Sequence, residues 1–206
     1  MTRLYDDIYT LLEERFLRGD YLPDDVISDY ALSKELQTSR NPIRRAMERL
    51  QQQGFLSNNA HQSKLVIGYS EDECAQMYTY VLHLVELAIA TDHVDVNSLL
   101  RETAKLKQLS DRSTYFDYVQ QLASIYRLII SYSNNIVYTR SFDQWHKPFI
   151  RMIMLRFRLG QVSQPFKEVQ QFTQLCALLH QQQLQQAKIY VQCIASEWCK
   201  VPSPLS

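Results

Sequence analysis

Arg40, Arg44, Arg45 and Arg49 crowd the segment "SRNPIRRAMERL", residues 39–50. The chain that carries them has 22 basic and 22 acidic side chains, so this positive charge is local and belongs to no general excess. A guanidinium is planar and always charged. Its donor fork fits a phosphate, or the O6/N7 edge of guanine, with two parallel hydrogen bonds. Clustered at the start of a helix, such groups add to free N–H groups and a partial positive charge that also favour an anion. The chemistry indicated is recognition of a polyanion.

The surrounding elements must aim these side chains. Ile43, Ala46, Met47 and Leu50 recur at i, i+3, i+4 and i+7, which predicts a helix with this stripe turned inward. Thr38 or Ser39 caps it, Pro42 falls in its first turn where a missing N–H costs little, and Gly54 ends it. At 100° per residue, Asn41, Arg45 and Glu48 point most directly away from the stripe, while Arg40 and Arg44 lie on its flank. Periodicity alone leaves open which arginines meet a ligand. Upstream, Leu4, Ile8, Leu11, Leu12 and Phe16 predict a first helix stopped at Gly19. The stretch "GDYLPDD" reads as a turn, and Ser28 or Asp29 caps a second helix carrying Ala31, Leu32 and Leu36. Beyond Gly54, "FLSNNAHQSKLVIGY" alternates two apolar runs about a polar tip, as a hairpin does. Three helices and a hairpin, with a tight turn between helices two and three, make residues 1–69 a winged helix-turn-helix.

From residue 70 to 206 the pattern is helical. "CAQMYTYVLHLVELAIA", "VNSLLRETAKLKQL", "FDYVQQLASIYRLIISY" and "IVYTRSFDQWHKPFIRMIMLRFRL" predict four helices. The stretch from Phe166 to Trp198 predicts two more, broken near Gln183. Four glycines and six prolines are too few to punctuate a many-stranded sheet. The expected fold is mainly α: a winged helix-turn-helix followed by an all-α bundle.

Composition narrows the function. Apolar residues at 46% and charged residues at 21% describe an ordinary globular chain, with no run long enough to span a membrane. With no export signal at "MTRLYDDIYT", the expected location is the cytoplasm. Cys74, Cys176, Cys193 and Cys199 have no paired metal-finger spacing and read as reduced thiols. No phosphate-cradling glycine loop, nucleophile elbow or acid–base pair is present, so the chain is not expected to be an enzyme.

The stretch "GDYLPDDVISDYALSKELQTSRNPIRRAMERLQQQGFL" resembles the DNA-binding domain of the GntR family of bacterial transcription regulators. Ser39, Arg40, Pro42, Ile43, Arg44, Ala46, Met47, Leu50 and Gly54 fall at that family's offsets. The resemblance implies that Arg40 and Arg44 contact bases, that Ser39 and Asn41 lie near backbone and base edges, and that His61 to Lys64 form the wing tip. In this context Arg45 is expected to contact DNA as well. Three positions depart from the pattern: Asp24 replaces a glycine after Leu-Pro, Tyr30 replaces a basic residue, and the usual wing glycine near Ser63 is missing.

The helical remainder resembles the C-terminal domain of the FadR-type branch. That domain commonly holds a divalent metal on one Asp and three His beside a small organic acid. Aligning "SNN" (133–135) puts the ligand positions on Leu122 and Tyr126 and near Phe172 and Ile194, so no metal or other cofactor is expected. His83, His93, His146 and His180 lack the i, i+3 or i+4 spacing of a helical metal site. An effector pocket of Tyr80, His83, Tyr126, Arg127 and Arg151 is one reading; core filling by Tyr126, Trp145, Phe149 and Phe157 is the other. The combined expectation is a homodimer that binds a palindromic double-stranded operator, tuned by a small organic effector, with no membrane partner. The alternatives are a winged-helix protein-interaction module, or a ligand-independent regulator whose helical domain only dimerises.

Overall fold

The computed structural model describes residues 2–58, 63–91, 93–112, 114–162 and 166–199. The chain divides into two compact units, one of residues 1–69 with 154–159 and one of residues 70–153 with 160 onward.

In the first unit, α1 (Thr2–Leu17), α2 (Asp29–Glu35) and α3 (Arg40–Gln52) join a three-stranded antiparallel sheet of β1 (Val26–Ile27), β2 (Leu56–Asn58) and β3 (Lys64–Val66), ordered β1-β3-β2. The hairpin pairs Leu56 with Val66 and Asn58 with Lys64. Val26 pairs with Leu65 on the other edge of β3, a strand too short to carry an alternating signal. The stripe Ile43, Ala46, Met47 and Leu50 is buried, against a core that includes Ile8, Leu12, Phe16, Leu32 and Phe55. Leu11, placed in the first helix's stripe by spacing, is 40% exposed.

Local chemistry explains the boundaries. Ser28 caps α2 by accepting from the Ala31 N–H at 3.1 Å. Ser39 stands at the N-cap of α3 but makes no side-chain capping bond. Gly54 ends α3 at φ 81°, where a Cβ would be strained. Asp24 takes φ 69°, the conformation a glycine would favour, and its N–H donates to the Val66 carbonyl at 3.1 Å. The Leu-Pro turn therefore keeps a left-handed residue without glycine, which aspartate tolerates better than most side chains.

The second unit holds α4 (Glu71–Ile89), α5 (Val96–Arg112), α6 (Tyr115–Ser131), α7 (Ile136–Arg158, its last turn grouped with the first unit), α8 (Lys167–His180) and α9 (Leu184–Cys199). A capping box opens α4: Ser70 accepts from the Glu73 N–H, and the Glu73 carboxylate accepts from the Ser70 N–H at 2.7 Å. Tyr126 lies at the centre of the core, edge-on to Phe149 at 5.6 Å and Phe172 at 5.3 Å. Phe149 packs edge-on against Tyr78 at 5.4 Å. The fold is winged helix-turn-helix plus all-α bundle, as the periodicities indicate.

Candidate nucleic-acid interface

The four arginines of α3 separate into two pairs with different neighbours. Arg40 and Arg44 turn toward α2 and share one carboxylate. Arg40 donates Nε and Nη2 to Asp29 Oδ1 at 3.0 and 2.6 Å; Arg44 donates the same two groups to Oδ2 at 3.1 and 2.8 Å. Burial alone would push the Asp29 carboxyl up. The hydrogen bonds and charges of the two arginines outweigh it and hold the group below its ordinary value.

Arg45 and Arg49 turn toward α1 instead. Arg45 lies over the Tyr5 ring at 4.7 Å and Arg49 over the Tyr9 ring at 3.8 Å, both within cation–π range. Tyr9 bonds to Glu13 and Gln53, and burial with the Glu13 bond pushes its hydroxyl up to about 12. Glu35 of α2 pairs with Arg15 of α1.

Asn41 is exposed in the first turn of α3. Lys64 on β3 donates to Gln51 at 2.5 Å and Asn58 at 2.7 Å, which ties the wing's return strand to the end of α3. A concavity of about 260 Å³ is lined by Asp29, Arg44, Met47, Glu48 and Lys64. His61 lies outside the described residues. Tyr30, where a basic residue is usual, is 54% exposed and carries Lys34 over its ring at 4.4 Å, so a cation remains at that end of α2. By spacing alone Asp29 reads only as a cap, and Tyr5 and Tyr9 fall outside every motif. The signal for them lies in contacts between helices.

The pocket residues do not converge. Tyr80 bonds to Ser141, and its ring stands 6.5 Å from that of Trp145, which is 45% exposed. His83 lines a shallow concavity of about 120 Å³ with Leu82, Glu86, Val191 and Gln192. Arg127 is on the surface, paired with Asp143 at 2.6 and 3.1 Å. Arg151 is fully buried. Tyr126 borders a void of only about 10 Å³, with Val85, Phe172, Leu175 and Ile194 among its walls.

Tyr126, Phe172 and Ile194, three of the four positions aligned with family metal ligands, thus meet at one void, and Leu122 is fully buried. Their chemistry does not fit a divalent ion. Only Tyr126 has a donor atom, and burial with the nearby Glu168 charge raises its pKa, which disfavours the phenolate. Among the described residues no group of three or more His, Cys, Asp or Glu is placed to hold a metal ion, and no helix is long and apolar enough to cross a membrane.

A small sheet behind an arginine-bearing third helix, followed by a helical bundle, defines the class as a winged helix-turn-helix protein. Residues 4–65 match the model of the gntR family of bacterial regulatory proteins. It is 25% identical over 142 residues to the uncharacterized HTH-type transcriptional regulator YdhC of Bacillus subtilis, a match covering 65% of this chain and 62% of that protein. The fold is shared with Lar, which controls expression of the Listeria monocytogenes agr system (20% identity, 95% and 94% of the two chains, TM-score 0.67). It is shared equally with E. coli McbR/YncC (18% identity, 94% of each chain, TM-score 0.66).

Proposed function

We propose that the chain is a sequence-specific DNA-binding transcription regulator, acting in the cytoplasm by binding and without catalysis. It works as a homodimer on a palindromic operator, tuned by a small organic effector held in the helical domain without a metal. The observation that carries the DNA reading is the exposed Arg40–Arg44 pair at the N-terminus of α3, within a gntR-family domain. In this reading Ser39, Asn41, Arg45 and Lys64 flank the pair and meet backbone or base edges, and His61 belongs to the wing tip. A dimer sets two such helices about one DNA turn apart, which makes the operator a short palindrome.

The void of about 10 Å³ beside Tyr126 favours a second reading of the helical domain. A space of that size holds no more than a water molecule. Either the effector binds elsewhere in the domain or the domain only dimerises. Mass spectrometry of the denatured protein for co-purified small molecules separates the two.

The DNA reading is tested by selection from a random-duplex pool followed by footprinting. The expected result is a palindromic site, protected by two copies, whose affinity falls steeply with salt. Failure to enrich any sequence, together with salt-insensitive retention on heparin, favours a protein-interaction module instead.

A further inference from the structure

Arg40 and Arg44 stand one helical turn apart, with side chains 49% and 52% exposed, while the carboxylate they share is 7% exposed. A surface ion pair is ordinarily worth little, because two long mobile side chains must both be ordered. Here the acceptor is already fixed, buried at the start of α2 behind the Ser28 cap. Both arginines also present the same edge to it. Each spends Nε and one Nη2 proton on Asp29 and keeps three of its five N–H donors, including the Nη1/Nη2 end. That end is enough for the two acceptors of a guanine.

We propose that Asp29 is a positioning residue that sets DNA specificity: it clamps Arg40 and Arg44 by their inner edges so that their outer edges meet DNA as one pre-set pair. The inference rests on the DNA-binding reading above. The clamp acts in two ways. It removes rotamer freedom before binding, so less ordering entropy is lost at the interface. It also cancels one of the two positive charges, which lowers the sequence-independent attraction to phosphate that every duplex shares. Discrimination rises from both sides. The Arg45–Arg49 pair is stacked on tyrosines instead, with the Glu13 charge acting on Arg49, and serves as an internal comparison.

The test compares wild type, Asp29→Asn and Asp29→Glu as full chains. Each binds the duplex that wild type selects from a random pool and a shuffled duplex of the same composition, at fixed salt. Asp29→Asn is expected to lower the selected-to-shuffled affinity ratio by roughly tenfold, the size of one good bidentate base contact, with shuffled binding unchanged or tighter. Asp29→Glu restores part of the ratio. In the free proteins, arginine labelled for NMR should show slowly exchanging Nε–H signals for Arg40 and Arg44, lost in Asp29→Asn. An unchanged ratio overturns the proposal. So does an equal loss on both duplexes with a lower melting temperature, which is what a purely structural role produces. Rapidly exchanging Nε–H groups in a wild-type chain that does select a sequence overturn the clamp alone. A chain that selects nothing while keeping those groups protected overturns the DNA reading, and the positioning role falls with it.

Discussion

Arg44 and Arg45 are neighbours in sequence with the same formal charge, and the fold gives them different surroundings. Arg44 shares a buried carboxylate with Arg40, whereas Arg45 lies over an aromatic ring of α1. Arg44→Ala is expected to cost about 1–3 kcal/mol on the selected duplex and to relax base preference. Arg45→Ala should weaken all duplexes alike and flatten the salt slope by about one unit. Titrations of both variants over a salt series check this, and an Arg44→Ala chain with undiminished selectivity refutes the assignment. The motif made Arg40 and Arg44 legible, because their spacing from Ser39 and Pro42 lies within one helix. Asp29 was not legible, since it is 11 and 15 residues from its partners and meets them only after α2 and α3 pack.

Helices were the easiest elements to read, because each leaves many turns of periodic burial. The helices from α4 to α9 follow the apolar spacing closely, and the break near Gln183 falls between α8 and α9. The two-residue β1 left no period to detect. Its neighbourhood depends on a close approach instead: a Cβ on Gly68 would come within 2.8 Å of both Cβ and Cγ of Pro23. Proline's ring cannot swing aside as a flexible side chain can. Gly68→Ala should therefore cost about 1–3 kcal/mol, the usual range for overpacking, read as a lower urea midpoint with the far-UV spectrum retained. An unchanged midpoint means that the turn yields. Between α6 and α8, burial pushes the Glu168 carboxyl up, opposed by its own backbone N–H, by Tyr118 donating at 2.9 Å, and by Lys167. A raised value means that the native state binds more protons than the unfolded chain. The stability that Glu168 contributes is thus complete below the ordinary value of 4.5 and is lost as pH rises through the folded value. The melting temperature of Glu168→Gln relative to wild type should rise as pH climbs from 4.5 to the folded value and level off above it, and a constant difference counts against a buried acid.

At the scale of the whole molecule, sequence separated the two kinds of architecture but not the content of the helical core. Leu122, Tyr126, Phe172 and Ile194 could be read as poor metal ligands from residue type alone. That three of them close on one void required the packing of several helices. Arg127 and Tyr126 illustrate why the proposed pocket does not assemble: consecutive helical residues turn about 100° apart, so one faces the core and the next faces solvent. A different consequence follows from where the indoles are. Both tryptophans of the chain, Trp145 and Trp198, lie beyond residue 70, and Trp145 is partly exposed beside Tyr80. Light at the red edge of the absorption band, where tyrosine is transparent, therefore excites only the helical portion, although the arginine pair lies elsewhere in the chain. The protein carries its own label for communication between its parts. Coupling between two binding events is reciprocal, so an effector-responsive regulator should change its indole emission when saturated with operator DNA. Emission that stays constant through saturation marks a chain whose helical portion takes no notice of what the arginines hold.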